Sequence, residues 1–186
     1  GAEIHTDSSR KKLALNFADV ASVKTKCVAE IEAFDTNLAK MYCGGHPMAG
    51  LEVSGPESAQ ADLFEGRPWI LTPTLMTSEE PIRLVSGVLE VVGATEIRMS
   101  PSEHDQAVAL VSHAPQVLAS LMAGELVINS PKGVPLAGQG LRDVTRIAAS
   151  DSQLWSAILS ANATALNPIL ASMHGRLGEL ISSLNH

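Results

Sequence analysis

His46, pinned by Pro47, opens into Met48-Ala49-Gly50-Leu51-Glu52-Val53-Ser54-Gly55, a glycine-bearing loop with the Glu52 carboxylate six residues on. An imidazole at the C-terminal end of a strand can exchange a proton with a bound ligand. The same pattern also fits a turn with a surface histidine. Three further clusters hold side chains able to do chemistry. Asp19-Val20-Ala21-Ser22-Val23-Lys24 reads as a strand-to-helix junction, where Ser22 is either a helix cap or a hydroxyl facing a ligand at the edge of a parallel sheet. Ser112 and Gln116, four residues apart, share a helix face that either lines one pocket or is simply solvated. Arg142 and Arg146 stand one helical turn apart, with Asp143 three residues before Arg146; this is either a salt-bridged surface turn or a guanidinium clamp for a carboxylate. Gly138-Gln139-Gly140 is no nucleotide loop, because no strand signal precedes it and the third glycine is missing.

The elements that must position these groups follow from the apolar spacing. Phe17–Val20 reads as a short strand, with a helix starting over Ala21–Lys24 whose face carries Val28, Ile31 and either Phe34 or Asp35. Met41–Cys43 is the next strand and delivers the chain to His46, and Trp69–Thr72 is a third, stopped by Pro73. Thr77-Ser78-Glu79-Glu80-Pro81 starts a helix whose face is Ile82, Val85, Leu89 and Val92, and Gly93 ends it. Thr95–Met99 alternates as a fourth strand. Strand alternating with helix implies an α/β unit with a largely parallel sheet.

After Ser100-Pro101 the pattern becomes helical throughout. Ala107, Leu110, Val111, Ala114, Leu118 and Leu121 share a face with Pro115 as a kink or break, and Ser150 with Gln153 forms a capping box. Asn167-Pro168 is expected to interrupt the final run, whose Ile169, Met173, Leu177, Leu180 and Leu184 form either a core face or a dimer seam. The fold class is therefore α/β plus all-α, with a boundary near Ser100.

With 45% hydrophobic residues the 186-residue chain can bury a core, and with only 3% aromatics aliphatic side chains must fill it. A net charge of −7 argues against a nucleic-acid partner. Apolar stretches are broken by polar residues before membrane-spanning length, and no secretory signal is visible, so the expected location is cytoplasmic with no membrane partner. Cys27 and Cys43 have neither metal-ligand spacing nor a disulfide framework, so no metal is expected.

Taken in order, the clusters resemble the prephenate and arogenate dehydrogenase family of tyrosine biosynthesis. The matching pieces are Asp19-x-x-Ser22-Val23-Lys24, His46-Pro47-Met48-Ala49-Gly50-x-Glu52-x-Ser54-Gly55, and Leu63-Phe64-x-Gly66-x-x-Trp69 with Leu71-Thr72-Pro73. His104-Asp105 with Val111-Ser112-His113, Gly140-Leu141-Arg142-Asp143-x-Thr145-Arg146-Ile147-Ala148 and Leu154-Trp155 complete the set, which runs from about Asp19 to about Asn162.

The resemblance implies an NAD- or NADP-dependent oxidative decarboxylation of prephenate or arogenate by a homodimer. It implies that His46 takes the proton of the substrate hydroxyl, that Ser22 bonds the same hydroxyl, and that Arg146 grips a carboxylate. Glu52, Ser112, Gln116, Asp143 and Trp155 would border the substrate, and Asp19 and Ser22 the cofactor.

This sequence departs from the family pattern in two places. No glycine-rich βαβ unit precedes Asp19, so residues 1–100 are expected to form the later half of a Rossmann-like domain that holds a dinucleotide poorly by itself, and residues 101–186 an all-helical substrate-binding and dimerisation domain. The competing reading is a non-catalytic dimerisation module of such an enzyme. Gln116 stands where many prephenate-using members carry another histidine, which could favour arogenate.

Overall fold

The computed structural model describes residues 15–50, 60–129 and 134–185. β1 (Phe17–Ala18) leads through the Asp19–Lys24 junction into α1 (Thr25–Phe34) and α2 (Thr36–Met41), and β2 (Tyr42–Pro47) then returns beside β1. Asp35 separates the two helices and caps the second, its carboxylate accepting the Asn37 N–H at 2.7 Å. β3 (Pro68–Thr72), α3 (Glu79–Val91) and β4 (Thr95–Arg98) complete a sheet of order β1-β2-β3-β4.

This sheet is mixed rather than largely parallel. β1 with β2 and β3 with β4 are parallel, as the intervening helices require, but β2 and β3 are antiparallel, with His46 opposite Ile70. Met48 N–H donates to the Pro68 carbonyl at 2.8 Å, extending the antiparallel pairing past the end of β2. The strand ending at Cys43 in the sequence reading in fact continues to Pro47, so His46 is a strand residue rather than a loop residue. Two of the other early boundaries also move: β1 stops at Ala18, and α1 begins only at Thr25.

Cys43, Leu71 and Leu89 form the inner core of this half, with Trp69, Ile82, Val85 and Ala94 packed on them. α3 starts with Glu79 and Glu80 in its first turn and closes before Gly93, whose φ of 70° is the left-handed conformation that a helix C-terminus favours.

From Pro101 on, every described element is helical. α4 (Pro101–Val108), a π turn (Ala109–His113) and α5 (Ala114–Asn129) run end to end. Ser100 and Glu103 form a reciprocal capping box at the start. The kink or break expected at Pro115 takes the form of this π turn. A proline here has no N–H to give and its ring crowds the carbonyl four residues back, and a wider turn relieves both.

Contrary to expectation, the run Pro101–Ile128 is long and apolar enough to cross a membrane. It also carries four buried polar residues, His104, Asp105, His113 and Gln116, each of which hydrogen-bonds to a residue outside that run, as suits a helix at the centre of a folded bundle.

A short 3₁₀ turn (Val134–Leu136), α6 (Gln139–Thr145), a second 3₁₀ turn (Arg146–Ala149), α7 (Ser152–Ala161) and α8 (Ala163–Leu184) follow. Two sequence expectations are corrected here. The cap of α7 is Asp151, which accepts the Leu154 N–H at 2.7 Å, while the Ser150 hydroxyl donates to the Ile147 carbonyl instead. The last run is broken at Asn162 rather than at Asn167-Pro168, and Pro168 lies inside α8, where it removes a single ladder bond. Ala109, Ala114 and Leu166 form the core of the helical half, under Val117, Leu159, Ile169, Leu170 and Met173.

Candidate active site

His46 lies near the end of β2, next to the point where the β1–α1 junction and the start of α4 meet it. Three features of the chain make this close approach possible. Gly45 has no side chain, and a Cβ there would fall 2.6 Å from the Asp19 carbonyl, so the end of β1 can close against β2. Lys24 is fully buried and donates through Nζ to the Gly45 carbonyl at 2.6 Å while pairing with Asp19. Asp19 in turn accepts the Ala21 N–H at 2.7 Å and bonds the Tyr42 hydroxyl. Burial and the bond to Asp19 push the Tyr42 phenol far above its ordinary range, so it stays a donor. A buried cation is tolerated only when paired and hydrogen-bonded, which this lysine is.

On its other side His46 meets the helical half. His46 Nδ1 and His104 Nε2 are 2.8 Å apart, with the rings edge to face and their centroids 5.0 Å apart. His104 is fully buried, and its Nδ1 lies 2.8 Å from Asp105 Oδ1. The Asp105 carboxylate then crosses back to the first half, accepting the backbone N–H groups of Lys24 and Thr25 at 2.8 and 2.9 Å and so capping the start of α1. Burial alone would raise the Asp105 pKa, but the bonds from His104, Thr25 and Lys24 outweigh it and hold the group at about 2. It is an anion at any working pH.

Below this, the Asn162 amide donates to the Asp105 carbonyl at 2.8 Å and lies 3.0 Å from His113 Nδ1, and His113 packs edge to face on Trp155. Burial lowers the His113 pKa. His46 itself is lowered to about 4, first by burial and then by His104, Lys24 and His113, with Asp19 acting weakly the other way. The ring is therefore neutral and able to accept a proton at neutral pH.

The residues picked out in the sequence fare differently. Ser22 stands on the β1–α1 junction, two residues before Lys24, at the C-terminal edge of the parallel β1–β2 pair. Both Asp19 oxygens accept hydrogen bonds from protein groups, Oδ1 from Lys24 and Ala21 and Oδ2 from Tyr42. Ser112 lies half-buried within the π turn, four residues before Gln116. Gln116 is buried, and its amide donates to the Ile147 carbonyl at 3.0 Å, tying α5 to the turn that begins with Arg146. Asp143 accepts from Gln139 at 2.7 Å on α6, and both Asp143 and Arg146 are exposed. Glu52 lies outside the described residues. A surface cavity by Met48, Ala49 and Gly50 is lined by Asp62, Glu65 and Arg67, and none of the candidates among the described residues lines it.

Spacing arguments missed His104, Asp105, Lys24, His113 and Asn162 as members of one network. His104 and Asp105 are adjacent, and a histidine next to an acid in the first turn of a helix reads as solvated. Only their fully apolar next-turn neighbours, Val108 and Ala109, signalled that this face turns inward.

A mixed α/β sheet with a histidine near the end of its second strand, followed by a helical half that packs against that histidine, defines an α/β unit with an appended helical domain. Residues 8–98 match the family model described as prephenate dehydrogenase, nucleotide-binding domain, and residues 100–186 the one described as prephenate dehydrogenase, dimerization domain. The chain belongs to the prephenate dehydrogenase family.

A cyclohexadienyl dehydrogenase of Zymomonas mobilis is 36% identical over 157 residues, covering 82% of this chain and 53% of that protein. A prephenate dehydrogenase of Bacillus subtilis is 36% identical over 154 residues, covering 80% and 40%. Among solved structures, prephenate dehydrogenase from A. aeolicus in complex with hydroxyphenyl propionate and NAD+ superposes with a TM-score of 0.80 at 35% identity, covering 90% of this chain and 58% of that one. Synechocystis arogenate dehydrogenase gives 0.71 at 30% identity, covering 90% and 61%. The chain spans about half the length of the curated relatives it matches.

Proposed function

We propose that this chain supplies the substrate-binding and proton-transferring part of a cytoplasmic NAD- or NADP-dependent dehydrogenase of tyrosine biosynthesis. It would oxidatively decarboxylate prephenate to 4-hydroxyphenylpyruvate or arogenate to tyrosine. The observation that carries the reading is the neutral His46 at the strand edge, held at Nδ1 by a buried His104–Asp105 pair.

The nicotinamide end of a dinucleotide fits the C-terminal edge of the β1–β2 pair, where the Ser22 junction stands, as ligands do in open α/β sheets. No G-x-G-x-x-G occurs in the sequence, so no pyrophosphate cradle is assigned to its residues. The cofactor, when bound, accepts the hydride that leaves the ring carbon bearing the hydroxyl. His46 Nε2 accepts the hydroxyl proton, so that carbon can become a carbonyl carbon. Ser22 orients the hydroxyl. Arg146, with its forked guanidinium, holds a substrate carboxylate. Loss of the ring carboxylate as CO2 returns its bonding electrons to the ring, which becomes aromatic, and the carbonyl oxygen regains a proton as a phenol. Glu52, Ser112, Asp143 and Trp155 border the substrate in this reading.

Gln116 offers no cation to the pyruvyl side chain of prephenate, and its amide is committed to Ile147, which favours arogenate. Steady-state kinetics with both substrates test this, and a higher kcat/KM for prephenate would overturn the preference.

The partner is a second copy of the chain. Leu118, Leu121 and Met122 on α5 and Leu177, Leu180, Ile181 and Leu184 on α8 are exposed apolar residues on the half matching a dimerization model. Light scattering at micromolar concentration should give twice the chain mass, and a monomer would remove the proposal. The exposed apolar residues of α5 and α8, on the half that matches a dimerization model, also suit one other reading, a dimerisation module without catalysis. Titration with NAD and NADP separates the two: no heat with either, and no turnover, selects the module.

A further inference from the structure

We propose that the buried His104–Asp105 pair is a positioning dyad that fixes the tautomer of His46, placing its proton on Nδ1 and leaving Nε2 bare for the substrate hydroxyl. The inference deepens the reading of His46 as the proton acceptor and rests on it.

The argument is one of hydrogen-bond direction. An ionised carboxylate can only accept, so Asp105 Oδ1, 2.8 Å from His104 Nδ1, requires that nitrogen to carry the proton. Asp105 has no freedom to turn away, because the same carboxylate accepts from Lys24 N and Thr25 N and its backbone carbonyl accepts from Asn162. For a neutral His104 ring, Nε2 is then a lone pair. It lies 2.8 Å from His46 Nδ1, and two lone pairs at that distance would repel, so His46 must donate from Nδ1. Its single proton is thereby used, and Nε2 is an acceptor.

Reversing the chain would leave His46 with a proton on Nε2 and nothing with which to accept the substrate's proton. His104 is fully buried, so no water competes for its ring nitrogens and the direction is enforced. The carboxylate that orders the rings also caps α1 two and three residues after Ser22, so one side chain from the helical half sets both the base and the junction carrying its partner hydroxyl.

The test is nitrogen-15 histidine NMR on this chain, with His46 assigned by its loss in His46→Asn. Expected for the unaltered chain is a His46 ring protonated at Nδ1 and bare at Nε2. His104→Met removes the acceptor and should give a mixture of the two tautomers. His104→Gln restores a carbonyl near the place of Nε2 and should restore the Nδ1 proton. In a form of the protein that binds the dinucleotide, His104→Met should lower kcat about tenfold or more with little change in KM, and His104→Gln should recover much of the loss.

A His46 proton on Nε2 in the unaltered chain overturns the proposal, as does an unchanged tautomer in His104→Met. If His104→Met does not fold, the unaltered chain and His104→Gln decide the matter. If the tautomer is as expected but His46→Asn keeps full turnover, the dyad stands and the role of His46 as proton acceptor falls.

Discussion

The surroundings of His46 and those of Arg146 are built on opposite principles. Around His46 the chain buries a lysine, an aspartate, two further histidines and an asparagine, and hydrogen-bonds them across elements up to 81 residues apart. From Val134 to Ala161, which includes Arg146, Asp143 and Trp155, not one residue of the described helices and turns is buried. In the proposed function His46 is the proton acceptor, which must hold its geometry and tautomer to within a fraction of an ångström and so is locked before substrate arrives. Arg146, the proposed carboxylate clamp, sits on a long side chain that can close on its ligand. The part needing directional precision is fixed by the fold, and the part supplying charge is left at the surface, on the half that matches a dimerization model.

The largest effect expected is on the locked side. Asp19→Ala would leave the fully buried Lys24 ammonium without its carboxylate, a change that costs about 3–5 kcal/mol. Urea unfolding measures it, and a loss below about 1 kcal/mol would mean that Lys24 finds water and that the region is looser than described.

Next is His46→Asn, which should keep the fold and lower turnover by about 10²-fold or more in a dinucleotide-binding form of the protein. Unchanged turnover would remove His46 from the chemistry. The pH dependence follows from the same residue. His46 has a folded pKa of about 4 against an ordinary 6.5, so above pH 6.5 it adds nothing to stability. As pH falls from 6.5 toward 4, the unfolded chain takes up a proton that the folded chain refuses, and stability drops. Asp105, held at about 2 against 3.8, acts in the same direction lower down, its contribution fading as pH falls through 2. Urea midpoints at pH 7, 5.5 and 4.5 should fall in that order, and more shallowly in His46→Asn. The acid limb of kcat should lie below 6.5, and a limb at or above it would contradict the burial of the ring.

On the open side, Arg146→Ala should raise KM about tenfold while leaving stability within about 0.5 kcal/mol. A loss of stability comparable to that of Asp19→Ala would erase the contrast between the two regions, and a pure kcat defect would take Arg146 out of ground-state binding.

This contrast also explains what could be read in advance. His46, Ser22 and Arg146 stand out because a proline, a strand–helix junction and a one-turn arginine spacing are local signals. Each half's class followed from periodicity, since alternation and 3.6-residue repeats are also local. The direction of β3 against β2 was not legible, because nothing in a strand's own residues says whether it returns parallel or antiparallel. Nor was the Lys24–Asp105–Asn162 web, in which each polar residue is innocuous alone and becomes structural only through partners distant in sequence. The π turn was half-legible: Pro115 announced a disturbance, and nothing local said whether the helix would widen or break there.

The smallest effect sharpens the comparison within the exposed region itself. Asp151 caps α7 through the Leu154 N–H, and Ser150, the residue the sequence favoured, bonds the Ile147 carbonyl inside the turn that begins with Arg146. Asp151→Ala should therefore cost about 1 kcal/mol, the usual worth of a lost helix cap. Ser150→Ala removes one hydroxyl from a half-exposed turn and should stay within about 0.5 kcal/mol. If turnover can be measured, Ser150→Ala should instead raise KM modestly, because the Ile147 carbonyl it holds is the one that Gln116 also grips, next to Arg146. The opposite ranking in urea would return the cap to Ser150. It would also show that the turn bearing Arg146 is held by the start of α7 rather than by Gln116 and Ser150.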